Sequence, residues 1–165
     1  MNKLNLTLEN SRFKVKNSEL LIDVPKTYLS GSVSAAGVTL TVENISGGAV
    51  SQYMVLGEIG DEKTEIVQNH VDTAPTGSTI TLITGGVVYD HPVGTPVYFV
   101  GFNQIEFNNA TTSGGTKTVL ATQDITPDEE YSTYNDTTNT TGYGYVRFKN
   151  STLTTYSQYL NLTYP

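Results

Sequence analysis

The sequence predicts an all-β fold, an antiparallel β-barrel or sandwich led by an extended N-terminal arm. Three observations carry that reading. Apolar residues recur at every second position in short runs, which is the side-chain period of a strand. Each run is closed by Gly, Asn, Asp or Pro, residues that supply turn conformations. No segment sustains helical periodicity over three turns. The residue types agree, since Thr, Asn, Gly, Ser and Tyr dominate, tryptophan is absent, and Arg12 and Arg147 are the two arginines.

Residues 1–36 are read as arm and strands. Leu4, Leu6, Leu8, then Phe13 and Val15, then Leu20, Ile22 and Val24 alternate, until Pro25 and Ser30-Gly31-Ser32 break the pattern. Residues 37–108 read as a small antiparallel barrel or sandwich module. Its runs are 38–44, 52–60, 64–71, 79–84, 95–102 and 103–108, separated by "SGG", "GDEK", "TAPTGS" and "GG". Residues 109–116, "NATTSGGT", read as a linker. In residues 117–165 the runs "KTVLATQDI", "YSTYND", "YGYVRFKN" and "TYSQYLNLTYP" read as strands, the last two as a hairpin. Tyr143, Tyr145 and Arg147 share one face of their strand, and Val146 and Phe148 the other.

Composition narrows the function classes. With no cysteine, there is no disulfide framework, thiolate metal site or cysteine nucleophile. No apolar run reaches the ~18–20 residues of a spanning helix, and the N-terminus lacks the apolar stretch of a secretory signal. The expectation is a chain made and folded in the cytoplasm of its host cell, with no membrane partner. Net charge is −7. Residues 1–26 carry five basic and three acidic side chains, so the acidity lies in the rest of the chain. An acidic body repels phosphate backbones, so no nucleic-acid partner is expected.

His91, between Asp90 and Pro92, is the first candidate for chemistry. A catalytic histidine needs a nucleophile or metal within hydrogen-bond reach. The other histidine is His70, and neither G-x-S-x-G nor H-E-x-x-H occurs. The spacing instead puts His91 at the mouth of a hairpin, where a ring nitrogen holds backbone carbonyls of the turn. Asp90, His91, Pro92 and Gly94, with Gly60 in the earlier 60–63 turn, are therefore read as structural turn residues. The carboxylates Glu58, Asp61, Glu62 and Glu65, and again Asp124, Asp128, Glu129 and Glu130, fit a calcium loop or a glycosidase pair in principle. The EF-hand pattern is absent and both clusters sit at turns, so solvated or amide-bonding carboxylates are expected, with no metal or cofactor. Seven N-x-S/T sequons occur at Asn5, Asn44, Asn109, Asn135, Asn139, Asn150 and Asn161, a consequence of Asn- and Thr-rich composition.

Tyr131, Tyr134, Tyr143, Tyr145, Tyr156, Tyr159 and Tyr164 crowd the C-terminal part. They read first as sheet packing, next as a protein interface, last as a sugar platform.

Two resemblances add to this. The stretch from Tyr134 resembles the last strands of a fibronectin type III or immunoglobulin-like domain, through Tyr134, Asp136, Tyr143, Tyr145, Arg147, Tyr156 and Ser157. It implies an immunoglobulin-like C-terminal part. The middle resembles a small β module of bacteriophage structural proteins. The matching residues are Gly57, Gly60, Glu62, Glu65, Ile66 and Val67, then Thr79 to Leu82, then His91, Pro92, Gly94, Thr95, Pro96, Val97 and Tyr98.

That resemblance implies a non-enzymatic virion structural protein of a tailed phage. The favoured role is decoration of the capsid surface. The expected partners are the major capsid protein or other virion proteins, with homo-oligomer or symmetric lattice contacts. The alternative is a neck, tail or fibre component that attaches to host or glycan. A carbohydrate-active enzyme is the rival from another class. The expected contact residues are Lys3, Leu4, Leu6, Leu8, Arg12, Phe13 and Val15 in the arm, with Tyr143, Tyr145, Tyr156 and Tyr159.

Overall fold

The structure is a computed structural model that describes residues 6–9, 12–139 and 141–163, with side chains from Phe13 to Tyr159 except at residue 140. It is antiparallel β throughout and divides into two compact units. Sandwich-like sheet packing is present, and among the described residues no closed barrel forms.

The first unit takes in residues 21–101 with 127–129. Its main sheet has the order β3-β8-β5-β6, from Lys26–Tyr28, Pro96–Val100, Tyr53–Leu56 and Glu65–Gln68. A second, two-stranded sheet pairs β4 (Thr39–Thr41) with β7 (Thr79–Thr81). Single bridges, Leu29 to Val42 and Asn69 to Leu82, link the two sheets where a barrel would need continuous ladders. Leu29, Leu40, Val42, Met54, Leu56, Ile80, Val97 and Phe99 form one core between them. β4 and β7 each bury their middle residue (Leu40 and Ile80), as alternation requires of a sheet with one wet face. β5 is buried along its whole length, which explains its continuous apolar run.

The second unit is built from the residues up to Leu20, from 102–126 and from residue 130 onward. One sheet has the order β1-β2-β11, from Leu6–Glu9, Arg12–Lys16 and Tyr131–Asn135. The other runs β10-β9-β12-β13, from Thr118–Asp124, Gln104–Ala110, Tyr143–Asn150 and Thr155–Tyr156, and β14 (Leu160–Thr163) also pairs with β12. Aromatic rings join the sheets. Phe13 of β2 meets Phe107 of β9 edge-on at 5.5 Å between centroids, and Tyr134 of β11 stacks on Phe107 at 5.5 Å.

Several expectations are corrected here. Residues 12–16 are not an extended arm. β2 is the middle strand of its sheet, and Phe13 and Val15 are fully buried. A free arm has nothing to bury an alternating apolar face against, whereas β2 has the opposite sheet. Deleting residues 1–24 would therefore remove buried side chains, Phe13, Val15 and Leu20 among them. Lys3 and Leu4 lie outside the described residues, and of Leu6, Leu8 and Arg12 only the strand backbone is described. Asn17–Leu21 is a 3-10 turn and not a strand. The Asn17 side chain donates to the Thr126 carbonyl at 3.2 Å and accepts from Ser132 at 2.6 Å, which turns the chain out of the β2 direction.

The expected boundaries also differ. The cut at 36 falls inside the first unit, because β3 pairs with β8. The cut at 108 falls inside β9, and Asn109 and Ala110 of the expected linker are buried strand residues.

Candidate functional site

The most developed polar cluster is built on Glu65, the first residue of β6. Its carboxylate is buried and accepts from three donors. The Val88 N–H lies 2.8 Å from Oε2 and 3.0 Å from Oε1, the Tyr89 N–H 3.1 Å from Oε1, and His91 Nε2 2.8 Å from Oε1. The acceptor makes Nε2 the protonated ring nitrogen. A buried carboxylate is tolerable where such donors replace its lost water.

The loop that Glu65 holds is pinned from its other side by residues 33–37. Val33 and His91 exchange both backbone bonds, at 2.9 and 2.8 Å. The Ala36 N–H donates to the Val87 carbonyl at 2.7 Å, and Val87 N–H to the Gly37 carbonyl at 3.0 Å. Asp90 Oδ1 accepts from the Ala35 N–H at 2.7 Å. The approach is so close that a Cβ on Gly86 would collide with the Gly37 carbonyl, and Gly86 also has φ +62°. Glycine is required there on both counts.

His91 thus sits at a turn, but its ring holds the Glu65 carboxylate and not the backbone carbonyls expected of it. Pro92 accepts from Thr95 N–H at 3.2 Å, Gly94 donates to Leu29 at 2.8 Å with φ +87°, and Gly60 donates to Pro127 at 2.9 Å with φ +95°. These side chains do not converge on a reacting centre. Three ligand positions on Glu65 are committed to bracing, and so is Nε2 of His91. In these loops Val88 is 66 % and Val93 62 % exposed, and Tyr89 and Val38 are exposed as well.

The acidic run around Glu65 is split by the fold. Glu58 is exposed, accepts from the Tyr98 hydroxyl at 2.8 and 2.9 Å, and pairs with Lys26 at 3.3 Å. The Tyr98 hydroxyl, then Glu58, hold the Lys26 ammonium well above its usual range, against the opposing effect of burial. Burial pushes the Tyr98 phenol up, with Lys26 opposing and Glu58 adding. Asp61 and Glu62 stand in solvent. Asp124 accepts from Gln104 at 2.8 Å, and Glu130 pairs with Lys16 at 3.7 Å. Among the described residues no group of three His, Asp or Glu is placed to hold a metal. His70 accepts from Asp72 N–H through Nδ1 at 3.2 Å and lies apart from this network.

The second cluster lies on the outward face of β9 and β12. Glu106, opposite Arg147, is buried and bonds its guanidinium at 2.7 Å through Nε and 2.5 Å through Nη2. Arg147 lies over the Tyr156 ring at 3.6 Å and the Tyr159 ring at 4.5 Å. Lys117 lies over Tyr145 at 4.6 Å and Tyr159 at 5.6 Å. Burial raises the Tyr159 phenol, with Arg147 opposing.

Tyr143, Tyr145 and Arg147 share a face as their alternation requires. Tyr145, however, is 1 % exposed and accepts the Gly114 N–H at 2.9 Å, so it is a packed residue and not a surface contact. Tyr143 and Tyr159 are half-buried, and Tyr156 is exposed. Sequence pattern alone does not single out Glu106 and Asn108. Asn108 donates to Glu106 Oε1 at 3.2 Å, and its own Oδ1 is buried without a partner. The readable signal was a charged residue inside an alternating strand, on the face away from Ile105 and Phe107.

No family model, curated protein or solved structure matches this chain.

Proposed function

We propose that this chain is a structural protein of a tailed-phage virion that acts by protein contacts, without catalysis, and decorates and stabilises the capsid surface. One observation carries the reading. The ionisable groups best placed for chemistry, Glu65 and His91, are spent on bracing a loop pair that holds valines in solvent. Pre-ordered apolar loops lose little entropy when they meet a partner, which favours a contact surface over a reaction centre. The first unit holds ten carboxylates against Lys26 and Lys63, so its net charge is −8. A basic rim on the major capsid protein would complement it. The resemblance of residues 57–98 to phage structural modules supports the particle.

The sugar-platform alternative for a neck, tail or fibre has less support. Tyr145 is buried, and Lys117 and Arg147 already occupy ring faces of Tyr145, Tyr156 and Tyr159. The test is immunogold labelling of intact virions with antibody against this chain. Uniform label over the heads is expected. Label confined to neck or tail would replace decoration with a connector or attachment role, and unlabelled particles would overturn the surface reading.

A further inference from the structure

The brace holds Glu65 where only its ionised form fits. Glu65 lies opposite Leu56, and Leu56 opposite Val97, so its side chain enters the core face of the main sheet beside Leu56, Val67 and Val97. There Glu65 is 7 % exposed and His91 4 %. The three groups that bond the carboxylate are all donors. The Val88 N–H reaches both oxygens, and the Tyr89 N–H and His91 Nε2 reach Oε1. A proton on either oxygen is therefore set against a donor. The histidine sharpens the effect. Nε2 keeps its proton in the neutral ring as in the cation, so an imidazolium still bonds the carboxylate and adds charge attraction. A proton on Glu65 then leaves that imidazolium buried without its anion, which is costly.

Neighbouring charges do not replace the lost anion. Residues 33–37, β4 and β7 carry no ionisable side chain, and β5 contributes Tyr53 alone. Glu58 is held by Lys26 and Tyr98, while Glu62, Lys63 and Tyr89 are exposed. Asp90 is exposed and accepts from the Ala35 N–H at 2.7 Å, so a proton there weakens the same loop pair. Behind the brace lies the core. Val33 and Val87 are 7 % and 1 % exposed and pack in one cluster with Leu40, Met54 and Phe99.

We propose that loops 33–37 and 85–94 form an acid-released clasp, in which a proton on Glu65 frees the loops from β6 and uncovers Val33 and Val87. The closed loops bind fewer protons at Glu65 than the open ones, so falling pH favours opening. The inference goes beyond the function proposed above, because it concerns how the loops are held and is independent of what they touch.

The experiment is amide exchange followed by NMR on the full chain, from about pH 7 to about pH 3, each rate taken relative to intrinsic exchange at the same pH. Protection of Val88 and Tyr89 should fall about tenfold or more toward the acid end, while Val55 in the same unit keeps its protection. Glu65→Gln puts an amide donor where the brace needs an acceptor, so it should show the lowered protection already at neutral pH and little further change in acid. Asp90→Asn keeps an acceptor for the Ala35 N–H and should retain the transition. Wild-type loops that stay protected until Val55 loses its own protection overturn the proposal, since the unit then unfolds as a whole and no clasp opens first. That titration decides the matter without any variant. An acid transition in Glu65→Gln equal to that of the wild type overturns it too, and passes the response to Asp90.

Discussion

The two units solve the same problem with different chemistry. Both are antiparallel and both carry buried charge. The acidic unit buries a carboxylate and satisfies it with backbone N–H groups and an imidazole. The other unit buries a carboxylate beneath a guanidinium, then covers the guanidinium with tyrosine rings. The first arrangement fixes backbone, so it positions a loop. The second fixes side chains along strands that are already in place, so it positions a surface. The uneven residue supply matches. Seven of the 11 tyrosines lie from residue 131 onward, while the glycines of 85–94 serve the braced loop.

Removing the carboxylate in the acidic unit should do the most damage. Glu65→Ala leaves His91 and two loop N–H groups without their acceptor, at a cost of about 3–5 kcal/mol. Urea unfolding measures the loss, and amide exchange should rise at Val88 and Tyr89 while Phe107 and Val146 keep their protection. Equal loss of protection in both units would erase the distinction drawn between them. A smaller effect is expected for Tyr145→Phe. It removes the acceptor of the Gly114 N–H and keeps the ring under Lys117, at about 1 kcal/mol. If the variant matches the wild type in urea, the hydroxyl contributes nothing to holding the 111–117 loop.

The smallest effect concerns Lys26 and Tyr98. Both have folded-state values raised above their ordinary ones. A raised group binds its proton more tightly when folded, so its stabilisation is complete at neutral pH and fades as pH climbs past the ordinary value, above about pH 10. Unfolding midpoints should fall there, and Lys26→Met with Tyr98→Phe should flatten the fall. A double variant with the same slope would assign the alkaline loss to other groups.

Strand positions were legible because they follow local rules. The runs that became β4 to β12 are marked by alternation, or in β5 and β8 by a continuous apolar stretch, and most end at turn residues, signals that need no partner to be read. Burial was less legible. Alternation at Phe13 and Val15 says that one face is apolar, and is silent on whether a core lies beside it. Tyr145 follows the same logic, since its hydroxyl is satisfied by a loop 31 residues away in sequence. The partner of His91 was out of reach, because Glu65 stands 26 residues earlier in what reads as a turn-edge carboxylate.

The sequence by itself determined the class of fold, the places where the chain turns, and an acidic, cysteine-free composition. These depend on backbone geometry and side-chain type, which neighbours along the chain express. Only the tertiary structure decided that residues 12–16 are core and that the chain divides after Leu20 and Gly101. It alone joined Glu65 to His91 and Glu106 to Arg147. Those outcomes depend on which strands meet, and a non-local pairing is settled by burying apolar faces and satisfying polar groups together, which no single run can do alone.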